Sequence, residues 1–254
     1  MDEACGKAVE MGLPSIAFTE HVDFTPFRAG FLVGDHPELV EDGILKAPIL
    51  DVDGYFDCLG RCRAKYRDLV ILAGIEVGQP HRHHQQVSAL LASGPFDRVL
   101  GSLHCIEDGD EFAEPWEIYP HRPAADVFRD YLSEIPRMVA GSDLFTVFAH
   151  IDYPVRSWPE ELGPFDPRDF EGEIRVALQS LATSGRALEM NTRLPIDRLF
   201  VQWWREEGGE SVTFGSDAHM PHLVGTGLAD AGDIARAHDF APPRHVGQPW
   251  SIVA

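Results

Sequence analysis

Histidines and carboxylates recur in this chain wherever a short apolar run stops. Runs at 15–19, 70–77, 98–103, 145–149, 187–191 and 212–215 lead in turn to six polar groups. These are Glu20-His21-Val22-Asp23, Glu76, His104, His150-Ile151-Asp152, Asn191-Thr192-Arg193 and Asp217-Ala218-His219. Five of the six deliver an imidazole or a carboxylate, and the other an amide and a guanidinium. Imidazole and carboxylate together suit Zn, Mn, Fe and related divalent ions. A carboxylate such as Glu76 can bridge two ions. Ions about 3.5–4 Å apart can activate a shared water and clamp an in-line phosphoryl displacement.

Each member alone has a plainer explanation. A histidine after a strand commonly hydrogen-bonds within the core or a loop, and Asp217-Ala218-His219 could be a turn with a helix cap. Glu76 resists that treatment, because a carboxylate inside an apolar run needs a partner or a cation. The recurrence at one kind of position argues for a shared site. His81, His83 and His84, after Pro80, read instead as a solvated helix start. His36, His121, His222, His238 and His245 carry no spacing signal, and Trp203-Trp204 reads as core packing. Cys105 beside His104 is a poor nucleophile candidate, since adjacent strand residues point to opposite faces. No GxSxG elbow, P-loop, HExxH or strand-following GxGxxG offers another chemistry.

The runs are short and rich in β-branched residues, and longer amphipathic stretches alternate with them. That alternation predicts βα units around a parallel sheet. Helices are expected at 54–68, 85–92, 124–140, 168–184 and 196–207, with a further one at the start of the chain. Pro123 opens one and Gly141 follows it; Asp166-Pro167 opens another and Gly185 closes it. The stretch 30–52 reads as an irregular excursion of the kind that borders active sites. In a closed parallel barrel, the C-terminal strand ends share one face. Residues distant in sequence then meet there.

Composition bounds the rest. The 254 residues, 44% hydrophobic and 24% charged, form an ordinary globular chain, and the whole span 1–254 is expected to be a single domain. A formal charge of −20, from 41 acidic against 21 basic residues, excludes nonspecific binding to nucleic acid. Bound cations can still reverse the sign inside a pocket. No run is apolar for long enough to span a bilayer. The four cysteines form no CxxC pair, and the opening residues lack the features of a secretory signal. The expected compartment is the cytoplasm.

The blocks TEHVD, GIEVG, GSLH, AHID, EMNT and GSDAH resemble those of the PHP (polymerase and histidinol phosphatase) superfamily, most closely its histidinol-phosphatase branch. They occur in the family's order from His21 to His219. The resemblance implies a distorted (β/α)7 TIM-like barrel with two or three divalent ions, Zn, Mn or Fe. Carried over residue by residue, His21 and His219 would hold one ion. Glu76 would bridge the other two, with His104 and His150 on one and Asp217 on the other. The family's opening HxH has no counterpart ahead of Asp2-Glu3-Ala4. The first barrel strand is therefore expected to be missing from this chain. N-terminal truncation is the expected cause, with genuine loss of the strand as the alternative.

The expected activity is hydrolysis of a small phosphomonoester, best matched by L-histidinol phosphate, through attack of a hydroxide bridging the ions. Arg156 and Arg193, close behind the fourth and fifth strand ends, are the expected phosphate clamps. A surface ion pair is the plainer account of each. Two alternatives stand: another barrel metallohydrolase, acting on amides or nucleic acid, and a metal-binding protein without catalysis. The sequence assigns no oligomeric state.

Overall fold

The computed structural model describes residues 1–30, 34 and 37–253. His36 lies outside the described residues. In chain order the strands are β1 (Ser15–Asp23), β2 (Phe27–Arg28), β3 (Val40–Glu41), β4 (Ile44–Leu45), β5 (Val70–Gly78), β6 (Arg98–Ser102), β7 (Ile106–Asp108), β8 (Glu111–Ala113), β9 (Val147–Phe148), β10 (Ala187–Asn191), β11 (Ser211–Gly215), β12 (Phe240–Ala241) and β13 (Trp250–Ile252). The helices are α1 (Asp2–Glu10), α2 (Val52–Lys65), α3 (His84–Ala92), α4 (Pro115–Ile118), α5 (Ala124–Gly141), α6 (Glu171–Thr183), α7 (Arg198–Glu206) and α8 (Leu228–Ala237).

Six strands, in the order β1-β5-β6-β9-β10-β11, form a parallel sheet, as the alternating pattern predicts, and β13 and β12 extend it antiparallel. Parallel strands need crossovers, and helices supply them. The barrel is not closed. Among the described residues β1 pairs only with β5, and β11 pairs with β13 only through Ser211 and Val212. A cavity of about 420 Å³ is lined by residues of both β1 and β11, together with Glu76, Leu100 and Glu189 from the strands between. The sheet therefore curls until its first and last parallel strands face each other across a gap.

The largest buried cluster joins α5, α6 and α7 to β9, β10 and β11. Along α5 the buried residues Val127, Phe128, Tyr131, Leu132, Ile135 and Met138 recur at helical spacing, and Trp203 and Trp204 of α7 are core residues as expected. A second cluster packs Cys5 and Ala8 of α1 against Leu59 and Cys62 of α2 and Ile71 of β5. Asp51 caps α2 by accepting from the Gly54 N–H at 3.1 Å, and Asp197 caps α7 through the Leu199 N–H at 2.8 Å. Among the described residues no helix is long and apolar enough to cross a membrane.

Residues 31–33, 35 and 36 of the excursion at 30–52 lie outside the described residues. Further along it, β3 and β4 join β2, which precedes it, in a small antiparallel sheet, and Arg28 of β2 pairs with Asp108 of β7 at 2.8 Å. One local reading is corrected. His81 is not part of a solvated helix start: its Nε2 lies 2.8 Å from Glu134 of α5, with little exposure. His83 bonds Thr25 at 2.6 Å, and only His84 stands at the exposed start of α3. The acid buried inside α5 pulls the preceding loop inward.

Candidate metal centre

β1 and β5 run in register, with His21 opposite Glu76 and Asp23 opposite Gly78. Residues two apart on a strand share a face, so His21 and Asp23 project to the same side. Gly78 makes room for this, because a Cβ there would collide with the Asp23 carboxylate. Asp23 Oδ1 lies 2.9 Å from His104 Nδ1, while His104 Nε2 lies 2.9 Å from Glu76 Oε1. The same Glu76 oxygen is 2.7 Å from His150 Nε2. His21 Nδ1 stands 3.9 Å from both Glu76 Oε2 and Asp23 Oδ2.

Burial opposes charge in this group, but the partners prevail. It would raise the Glu76 carboxyl, yet His150 and His104 hold it well below the usual glutamate range. Burial would lower the His104 imidazole, yet Asp23 and Glu76 hold it well above the usual histidine value. Carboxylate and imidazole are thus bound to each other, as groups whose protons a divalent ion replaces.

Across the mouth, at the ends of β10 and β11, the second set gathers. His219 Nδ1 is 3.7 Å from Asp217 Oδ1, and Arg156 Nη1 is 2.8 Å from Asp217 Oδ2. Arg193 Nη1 reaches His219 Nδ1 at 3.0 Å and Asp217 Oδ1 at 3.9 Å. His150 and Asp217 both adopt left-handed backbone, φ 29° and φ 49°. Such conformations are uncommon outside glycine and concentrate at functional sites.

The six residues singled out as ligands therefore converge. Ligand atoms of His21, Glu76 and His104 lie within 4.8 Å of one another, and so do those of His21, Asp217 and His219. His21 is the member common to both groups, and His150 joins through Glu76. The donor set fits a borderline divalent ion. So does the buried Nδ1 of His150, which has no hydrogen-bond partner among the described residues. Both arginines also arrive, Arg156 deeply and Arg193 at the rim.

Sequence reasoning missed two contributors. Asp23 lies inside the TEHVD block, and its i+2 relation to His21 was the available signal. Glu189 on β10 is buried, accepts from the His150 N–H at 3.1 Å and from Asn191 Nδ2 at 3.0 Å, and so braces the left-handed turn at His150. Asn191 in turn accepts from the Arg193 N–H at 3.0 Å. Gly215 leaves space for Glu189, since a Cβ there would strike its carboxylate. Cys105, in the loop after β6, donates its thiol to Gln79 Oε1 at 3.1 Å.

A sequence model of the PHP domain matches residues 1–193, well over half of the chain. The chain belongs to the PHP domain family. Among curated relatives, the histidinol-phosphatase of Lactococcus lactis subsp. lactis is 28% identical over 225 residues, covering 84% of this chain and 76% of that protein. A probable histidinol-phosphatase of Clostridium acetobutylicum is 26% identical, covering 89% and 83%. The crystal structure of the Lactococcus lactis histidinol phosphate phosphatase, complexed with Zn, L-histidinol and phosphate, superposes with a TM-score of 0.78 at 25% identity, covering 94% of this chain and 87% of that one. The putative histidinol phosphatase of Listeria monocytogenes shares the fold, with a TM-score of 0.70 at 19% identity and coverage of 90% and 92%.

Proposed function

We propose that this PHP protein is a metal-dependent phosphomonoesterase, a single catalytic domain over 1–254 that hydrolyses L-histidinol phosphate in the cytoplasm. Its ions, two or three of Zn, Mn or Fe, would be held by His21, Glu76, His104, His150, Asp217 and His219, with Asp23 beside them. The free thiol state of all four cysteines accords with a reducing compartment.

The observation that carries the reading is Arg156. Its guanidinium is mostly buried and pairs with Asp217 through Nη1, yet its buried Nε and Nη2 have no hydrogen-bond partner among the described residues. Buried donors left unpaired cost about 1–3 kcal/mol each, and a phosphoryl group offers acceptors that match such a fork. The Tyr153 ring, 5.1 Å from the guanidinium carbon, fixes the plane of that fork. Arg193, tied by its backbone to Asn191, adds a second positive charge at the rim. Glu76 orients His104 and His150 by accepting from both, and Glu189 holds the His150 backbone in place. When bound, the ions would supply Lewis-acid polarisation of phosphoryl oxygens and a water acidic enough to serve as nucleophile at neutral pH.

The test is phosphate release after reconstitution with Zn or Mn. L-histidinol phosphate would be compared with p-nitrophenyl phosphate, an amide panel and an oligonucleotide. The expected result is turnover of the phosphomonoesters, highest kcat/KM for L-histidinol phosphate, and loss on chelation that added metal restores. Hydrolysis confined to amides or oligonucleotides would contradict the reading. Absence of both bound metal and turnover would favour a non-catalytic protein.

A further inference from the structure

Gln79 follows β5 directly, is 1% exposed and holds left-handed backbone, φ 49°. Glycine adopts that conformation without strain, and asparagine more readily than glutamine. What glutamine adds is reach. Its backbone N–H donates to the Ser102 carbonyl at 2.9 Å. Its side-chain Nε2 donates to the Cys105 carbonyl at 3.1 Å, while its Oε1 accepts from the Cys105 thiol at 3.1 Å. Its own carbonyl accepts from the Arg82 N–H at 3.0 Å.

Ser102 and Cys105 stand on either side of Leu103-His104, so one residue grips the chain before and after that histidine. The same residue lies three positions beyond Glu76. His104 bonds two carboxylates, Asp23 through Nδ1 at 2.9 Å and Glu76 through Nε2 at 2.9 Å. Both contacts require its ring to stay where the carboxylates meet. Yet His104 lies past the end of β6, beyond the reach of the sheet ladder. The turn that opens at Gln79 is itself anchored. His81 Nε2 lies 2.8 Å from Glu134 of α5, and His83 Nε2 lies 2.6 Å from the hydroxyl of Thr25, two residues after Asp23.

We propose that Gln79 is a positioning residue for the metal centre, holding the main chain on both sides of His104 so that its imidazole stays aimed at Asp23 and Glu76. The inference rests on the metal-dependent reading above and goes beyond it by naming what sets the geometry of one ligand. The amide is the group that suits the task. It donates and accepts at once, so it can hold a carbonyl and a thiol of the same residue. Methionine matches its length but bonds neither group. Asparagine suits the backbone but falls one methylene short. Supporting groups of this kind keep ligands oriented, and their loss typically costs about 10–100-fold in metal affinity.

The test is zinc affinity, by competition titration with a chelator, beside the visible absorption of the cobalt-substituted protein, which reports ligand geometry. Gln79→Met should weaken the zinc dissociation constant about tenfold or more and shift the cobalt band. Turnover of a phosphomonoester should lose kcat, with KM within about twofold of wild type. Leu178→Ala, which opens a cavity in the core at α6, is the control for lost stability. It should lower the melting temperature and leave zinc affinity and the cobalt band as in wild type. A folded Gln79→Met variant with zinc affinity within about twofold of wild type and an unshifted band overturns the proposal. If that variant does not fold, Gln79→Asn carries the same test. If neither folds, crystals of the zinc-loaded wild-type protein decide. A Gln79 amide still bonded to the Cys105 carbonyl is the expected result, and one turned away from it overturns the proposal. A wild-type protein that binds metal but hydrolyses no phosphomonoester would refute the phosphatase reading alone, because the titration and the cobalt band need no turnover.

Discussion

The two halves of the centre are built differently. Around β5, β6 and β9 the side chains of Glu76, His104 and His150 are 6%, 7% and 2% exposed, and every hydrogen bond joining them spans less than 3 Å. Around β10 and β11, Arg193 and His219 are 51% and 53% exposed, and their contacts with Asp217 run to 3.9 and 3.7 Å. The inner half lies among fully paired central strands, whereas the outer half borders the gap between β1 and β11. Rigid, desolvated ligands are held in place before an ion arrives. Ligands at an open edge must be drawn in. Metal retention should therefore depend steeply on the inner residues and shallowly on the outer ones.

The comparison breaks first at Glu76. Glu76→Gln removes the charge that holds two imidazoles, and should lower kcat by more than ~100-fold with loss of bound metal by elemental analysis. Asp23→Asn takes away the partner of His104 Nδ1. It should weaken metal affinity by ~10–100-fold in a competition titration with a chelator. Arg156→Met should cut kcat/KM by roughly 10–100-fold, since charge-assisted hydrogen bonds contribute about 1.5–3 kcal/mol. Arg193→Ala, at the exposed rim, should cost about tenfold or less, mainly in KM. Equal losses at Arg156 and Arg193 would erase the distinction between the halves.

A smaller effect lies outside both halves. Burial resists the charge on Glu134, but His81 and Arg82 bring its carboxyl down from 4.5 to about 2. A depressed carboxyl stabilises the fold above its unfolded value. That contribution is present in full above about pH 4.5 and lost as the pH falls toward 2. Melting temperatures near pH 5 and about pH 3 should thus diverge in the wild-type protein and converge in Glu134→Gln.

The parallel core was legible because each of its strands carries a run of apolar residues and ends in a polar group. Helices with a strong amphipathic period, such as α5 and α7, were legible too. The two-residue strands β2, β3 and β4 are too short to show a period. α8 is built from small residues, LADAGDIARA, and buries only Ala231, Gly232 and Ala235, a face without large apolar side chains. The ligand set emerged from position at the strand ends. Asp23 and Glu189 escaped because their roles depend on cross-strand register, with Gly78 and Gly215 providing the space.

The claim beneath all of this is that imidazoles and carboxylates from five separate strand ends hold cations together. An anomalous difference map from crystals of the zinc-reconstituted protein tests it most directly. Peaks enclosed by His21, Glu76 and His104, and by His21, Asp217 and His219, are the expected result. A map whose only peaks lie away from these residues would contradict it.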